Sequence, residues 1–107
     1  VKIAIKEGRL PHFEQMGRWW DKDTEIDLVG LNQAENTILF AETKWGSRLV
    51  GMGILNDLRE KARNVQWGKG ERKEYFVLVA KAGFNKKLIG QAKKNNVLLI
   101  QEDRTLG

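Results

Sequence analysis

The run YFVLVAK, residues 75 to 81, admits few architectures. It shows no apolar–polar alternation, so a strand formed there is covered on both faces, as the strands of a parallel sheet are. VLLIQ, residues 97 to 101, is a second run of the same kind. Between them KKLIGQAKK spaces Leu88, Ile89 and Ala92 at helical intervals, and Asn85 stands where an N-cap belongs. Two buried strands joined by a helix predict a parallel crossover.

Upstream, the period changes twice. TEIDLVGL and ILFAETKW alternate as strands do, and NQAENT between them holds turn-forming residues, which predicts an antiparallel hairpin. LVGMGILNDLREKARNVQ then places Leu55, Leu58, Ala62 and Val65 three and four apart, the spacing of an amphipathic helix. HFEQMGRWW, after Pro11, reads as a first strand. VKIAIK before Gly8 reads as the last turns of a helix, so the sequence is expected to be a piece of a longer protein. The predicted order is (α)βββαβαβ in one domain spanning residues 1–107. Its fold class is α/β, a mixed sheet with helices on its faces.

Composition bounds the function. A chain of 107 residues with 41% hydrophobic and 31% charged residues suits one folded domain. No apolar run approaches the roughly 20 residues of a membrane span. Without cysteine there is no disulfide framework and no thiolate metal site, and His12 alone makes a histidine-based zinc site untenable. The cysteine-free composition is compatible with the cytoplasm, the expected location. A net charge of +5 permits a polyanionic partner without requiring one.

Within the hairpin, strand parity puts Glu25, Asp27, Val29 and Leu31 on one face, and Ile38, Phe40, Glu42 and Lys44 on the same face of the neighbouring strand. If NQAENT is the loop, Leu31 lies against Ile38, Val29 against Phe40, Asp27 against Glu42 and Glu25 against Lys44. Opposed side chains are about 4.5–5.5 Å apart at Cβ, so Asp27 and Glu42 become neighbours above an apolar row. Two such carboxylates repel, and a divalent cation such as Mg²⁺, held by carboxylate and carbonyl oxygens, relieves the repulsion. Lys44 then stands where it can orient or help deprotonate an attacking water and offset charge on a phosphate. The same four charged residues also fit an ordinary cross-strand ion-pair ladder, and geometry alone leaves both readings open.

An Asp opening the second strand, a hairpin, and Glu-x-Lys closing the third, here EID followed by ETK, resemble the PD-(D/E)XK nuclease superfamily, whose restriction-endonuclease-like core has the order αβββαβ. GRWWDKDTEIDLVGLN, ILFAETKWG and YFVLVAKAGF are more closely similar to the nuclease-like C-terminal domain of a family of archaeal ATPases, over roughly residues 8 to 101. The resemblance implies Asp27 and Glu42 as ligands of Mg²⁺ or Mn²⁺, the Thr43 backbone carbonyl as a third, and Lys44 as the catalytic lysine. It implies phosphodiester hydrolysis of nucleic acid, DNA before RNA, next to an upstream ATPase domain. The alternative is a catalytically inactive nuclease-fold module that binds nucleic acid or protein. This chain departs from the pattern at Ile26, where the superfamily commonly has Pro. The acidic residue that many members carry on the first helix would precede Val1. Glu25 is expected to pair with Lys44.

The stretch 59 to 73 carries Arg59, Lys61, Arg63, Lys69, Arg72 and Lys73, which fits a phosphate-facing arm flanking the acidic pair or a solvated helix and loop. Of the four tryptophans, Trp45 is the best placed to stack on a base, the others being expected in the core or at its edge. GMG at 51 to 53 lacks a full glycine-rich phosphate motif.

Overall fold

The computed structural model describes residues 11–21, 24–95, 97–101 and 104–106. The helix expected at VKIAIK lies outside them. Eight elements follow in order: β1 (Gln15–Asp21), β2 (Thr24–Asn32), β3 (Thr37–Lys44), α1 (Met52–Arg63), β4 (Lys73–Ala80), α2 (Lys86–Lys94), β5 (Val97–Gln101) and β6 (Arg104–Leu106). The six strands form one sheet in sequence order. β1, β2 and β3 are antiparallel neighbours, β3–β4 and β4–β5 are parallel, and β6 returns antiparallel to β5. The fold is thus a mixed α/β sheet, with a short β6 that the sequence pattern did not announce.

Because β3, β4 and β5 step in one direction, two right-handed crossovers deliver both helices to the same face. Leu55, Leu58 and Ala62 of α1 and Leu88 and Ala92 of α2 bury there with Ile38, Phe40, Leu78 and Leu99 of the sheet. Burying each large aliphatic side chain favours folding by about 1.5–3 kcal/mol. The expectation of helices on both faces is therefore corrected for the described residues, whose two helices share a face. The other face buries Leu39, Ala41, Val77 and Ile100 beneath Phe13. Phe13 crosses directly over Gly30, where a Cβ would lie 3.0 Å from its ring, so this glycine is what lets the segment close on β2.

Two local devices hold the helices. Asn85 caps α2, its Oδ1 accepting from the Leu88 N–H at 2.9 Å. Arg72 closes the end of α1: its guanidinium donates to the carbonyls of Ala62, Val65 and Trp67 at 2.9, 2.6 and 2.9 Å, and it rests 5.5 Å from the Phe40 ring centroid. Carbonyls at a helix C-terminus lack intrahelical donors, and an inward arginine supplies them.

Candidate functional site

β2 and β3 pair in the expected register from Asn32↔Thr37 to Leu28↔Ala41. Beyond Leu28 the backbone ladder stops, and its cause lies on the other edge of β2. β1 pairs Gly17 with Val29 but Trp19 with Ile26, so Asp27 and Leu28 together oppose Arg18. This two-against-one arrangement is a β-bulge. It puts Ile26 and Val29, three residues apart, in the same core on the α1 side, where strict alternation would separate them.

The bulge changes how the acidic pair is made. Asp27 meets β3 through its carboxylate, Oδ2 accepting from the Thr43 N–H at 2.9 Å. A strand residue turns its N–H and C=O to the same edge, so the Thr43 carbonyl also faces β2. Glu42 is 6% exposed, the one buried carboxylate among the described residues. Burial, then the neighbouring Asp27 charge, push its pKa above the ordinary value, while Lys61 pulls the other way. Asp27 and Glu42 therefore lie together, through a side-chain contact instead of the cross-strand pair that unbroken alternation predicts.

The cation on Glu42 is not the expected one. Lys61, from the last turns of α1, places Nζ 3.2 Å from Glu42 Oε1. Lys44 follows Glu42 on the same face, opposite Ala80, but its side chain is exposed. It lines a cleft of about 420 Å³ with Ser47, Arg48 and Ile54. The expected Glu25–Lys44 pair is corrected: Glu25 pairs with Arg18 at 3.3 Å. The bulge sets Glu25 against Trp20 of β1, past the end of the β2–β3 ladder.

Sequence reasoning missed the role of Lys61, although a signal was present. It falls three residues after Leu58 and four before Val65, inside the apolar stripe of α1. A lysine at a sheet-facing position calls for a carboxylate beneath it, and Glu42 is that carboxylate.

Of the arm expected at 59 to 73, Lys61 reaches the pair, but its neighbours are committed elsewhere. Arg59 stacks over Phe76, Arg63 binds Glu60 at 2.9 Å, and Arg72 is turned inward. The loop that follows α1 is tied to the hairpin turn, at the opposite end of β3 from Lys44. There Asn36, in the left-handed region at φ 50°, donates through Nδ2 to the carbonyls of Lys69 and Glu71 and accepts at Oδ1 from the Lys69 N–H. Trp19 and Trp67 pack against the core, whereas Trp45 and Trp20 are 62% and 70% exposed. Trp45 thus stands free beside Lys44.

The chain belongs to the DUF234 family, archaeal and bacterial proteins of unknown function, whose family model matches residues 2–64. It is also 38% identical over 80 residues to an uncharacterised protein of Methanocaldococcus jannaschii, MJECL04. That match takes in 71% of this chain and 18% of the relative, so the chain spans less than a fifth of the relative's length. No solved structure matches. No helix among the described residues is long and apolar enough to cross a membrane. Nor does any group of three or more His, Cys, Asp and Glu side chains converge among them, which leaves two carboxylates and the strand carbonyl as the site's oxygen donors.

Proposed function

We propose that the domain is a restriction-endonuclease-like nuclease module of the PD-(D/E)XK type that hydrolyses phosphodiesters of nucleic acid, DNA before RNA, with Mg²⁺ or Mn²⁺. One observation carries this reading: a buried Glu42 held against Asp27, with an exposed Lys44 two residues on along the same strand face. The order βββαβ, with a parallel β3–β4 step, agrees with the αβββαβ core of that superfamily after its first helix. That the matched relative is far longer supports a domain joined to other modules, among which we place an upstream ATPase.

Asp27 and Glu42 are hard oxygen donors that lie together, the Thr43 carbonyl faces the strand edge that Asp27 occupies, and burial followed by the Asp27 charge makes Glu42 a carboxylate in need of positive charge, which one ammonium meets in part. They fit a divalent cation. When bound, that ion supplies Lewis-acid stabilisation of charge on a phosphoryl oxygen. The chain's own groups do the rest. Asp27 fixes the edge of β3 through the Thr43 N–H. Lys44, unpaired among the described residues, donates to the attacking water or to a phosphate oxygen at the mouth of its cleft. Arg48 in the same cleft, with Trp45 adjoining, offers an anchor for the neighbouring phosphate and a face for a base.

The test is cleavage of end-labelled duplex DNA, single-stranded DNA and RNA in Mg²⁺ or Mn²⁺ by the parent, Asp27→Asn and Lys44→Ala. Metal-dependent cleavage by the parent alone is expected. Metal binding without cleavage of any substrate would instead favour the inactive binding module, and cleavage unaffected by Asp27→Asn would end the assignment.

A further inference from the structure

The ion pair between Lys61 and Glu42 joins a helix to the floor of the proposed site. Three features set it apart from a surface pair. Glu42's side chain is 7% exposed, so its charge is desolvated and in need of a partner. Asp27 lies against it, so the carboxylate that Lys61 pairs with has a second carboxylate as neighbour. The Lys61 side chain is 35% exposed and reaches water without any movement of the helix.

The helix does not depend on this contact. Leu55, Leu58 and Ala62 anchor α1 in the core, and Arg72 holds its terminal carbonyls. Lys61 is thus free to swing away at little cost to the fold. A lysine ammonium is a compact point charge on a flexible stem, suited to reversible occupation of a site that another cation takes. The oxygen it binds, Glu42 Oε1, is one a divalent cation would use.

We infer that Lys61 is a tethered counter-cation: it holds the Asp27–Glu42 pair when no metal is bound and competes with the divalent cation for Glu42. This rests on the metal reading above. Lys61 is then a positioning residue, distinct from Lys44, and it lowers metal affinity while keeping the carboxylates in place. On displacement its ammonium moves into water.

The test compares Mn²⁺ binding to the parent, Lys61→Met and Lys61→Arg by calorimetry in one buffer at one fixed pH. Methionine keeps the apolar stem and removes the charge. Lys61→Met should bind Mn²⁺ roughly fivefold tighter, the size of one partly exposed ion pair, and Lys61→Arg should stay near the parent. A merely structural lysine would not raise affinity when removed. Equal or weaker binding by Lys61→Met overturns the inference alone, whereas no Mn²⁺ binding by any of the three overturns the metal reading with it. Should Lys61→Met fail to fold, the ¹⁵N signal of the parent's Lys61 ammonium followed during a Mg²⁺ titration decides the matter. Loss of its protection from exchange as Mg²⁺ binds supports displacement, and unchanged protection at saturation overturns it.

Discussion

Oδ2 of Asp27 takes the backbone N–H of Thr43 at 2.9 Å, at the point where β2 and β3 cease to pair through their backbones. One carboxylate thereby serves two ends. It closes the ladder that the bulge opened, and it brings a charge beside Glu42.

These two roles separate under mutation. Asp27→Asn keeps an oxygen acceptor for Thr43 and removes the repulsion with Glu42, so the metal-free protein should be as stable as the parent or more so. Asp27→Ala leaves the Thr43 N–H without its partner and should cost about 1–2 kcal/mol. Urea unfolding of the three proteins in EDTA checks this. Any thermal stabilisation of the parent by millimolar Mn²⁺ should vanish in both variants. Equal destabilisation by Asn and Ala would show that the negative charge itself supports the fold, as in an ion-pair ladder.

Glu42 gives the stability a definite pH dependence. Its folded pKa is raised above the ordinary 4.5, by burial first and by Asp27 second. The folded state therefore binds a proton more readily than the unfolded chain. The associated stability is fully present below the unfolded pKa and is lost as pH rises through the folded one. Relative to Glu42→Gln, the parent's Tm should fall as pH climbs from the ordinary carboxylate range through that raised value. Parallel Tm profiles for the two proteins between pH 4 and pH 8 would contradict the assignment.

The hairpin register was legible because Val29, Leu31, Ile38 and Phe40 had to share a face, and a slip of one residue would have exposed them all. The helices were legible from the spacing of Leu55, Leu58 and Ala62 and of Leu88 and Ala92. The bulge was not. A single added residue at Asp27–Leu28 leaves the alternating pattern intact on paper, and only the pairing with β1 shows that Ile26 and Val29 share a core. Ion pairs were equally hidden: Glu25, expected on Lys44, pairs with Arg18, and Glu42 found its cation 19 residues away. Pattern fixes the faces of elements, whereas the choice among long side chains depends on how those elements cross.

Arg72 illustrates the same point and yields a stability prediction. Sequence placed it in a basic arm, yet it spends its donors on the carbonyls of Ala62, Val65 and Trp67 and on Glu74. Arg72→Ala should destabilise the domain by roughly 2–4 kcal/mol, since several buried carbonyls lose a charged donor together. Arg72→Lys should recover little, because an ammonium lacks the planar fork that reaches separate acceptors. Guanidinium unfolding measures both. A cost to Arg72→Ala below about 0.5 kcal/mol would mean that water replaces the guanidinium freely.

The inward commitment of Arg72 also narrows the cations open to the proposed nucleic-acid partner. Lys44 and Arg48 line one cleft, Lys44 standing two residues after Glu42 on β3, and neither forms an ion pair among the described residues. Arg63, by contrast, lies on α1 bound to Glu60. Each phosphate neutralised by a protein cation contributes about 0.9 to the slope of log affinity against log salt on duplex DNA. If nucleic acid enters through the cleft, Lys44→Ala with Arg48→Ala should lower that slope by about 2. Arg63→Ala should leave it unchanged. Fluorescence anisotropy of a labelled duplex between low and moderate salt, in EDTA to prevent cleavage, supplies the slopes. Trp45 gives an independent reading, since a base stacked on it should quench its emission and Trp45→Ala should weaken single-stranded DNA by about 1–3 kcal/mol. A slope that drops with Arg63→Ala and not with the cleft variant would move the nucleic-acid surface to the outer side of α1, away from Asp27 and Glu42, and would separate binding from the proposed chemistry.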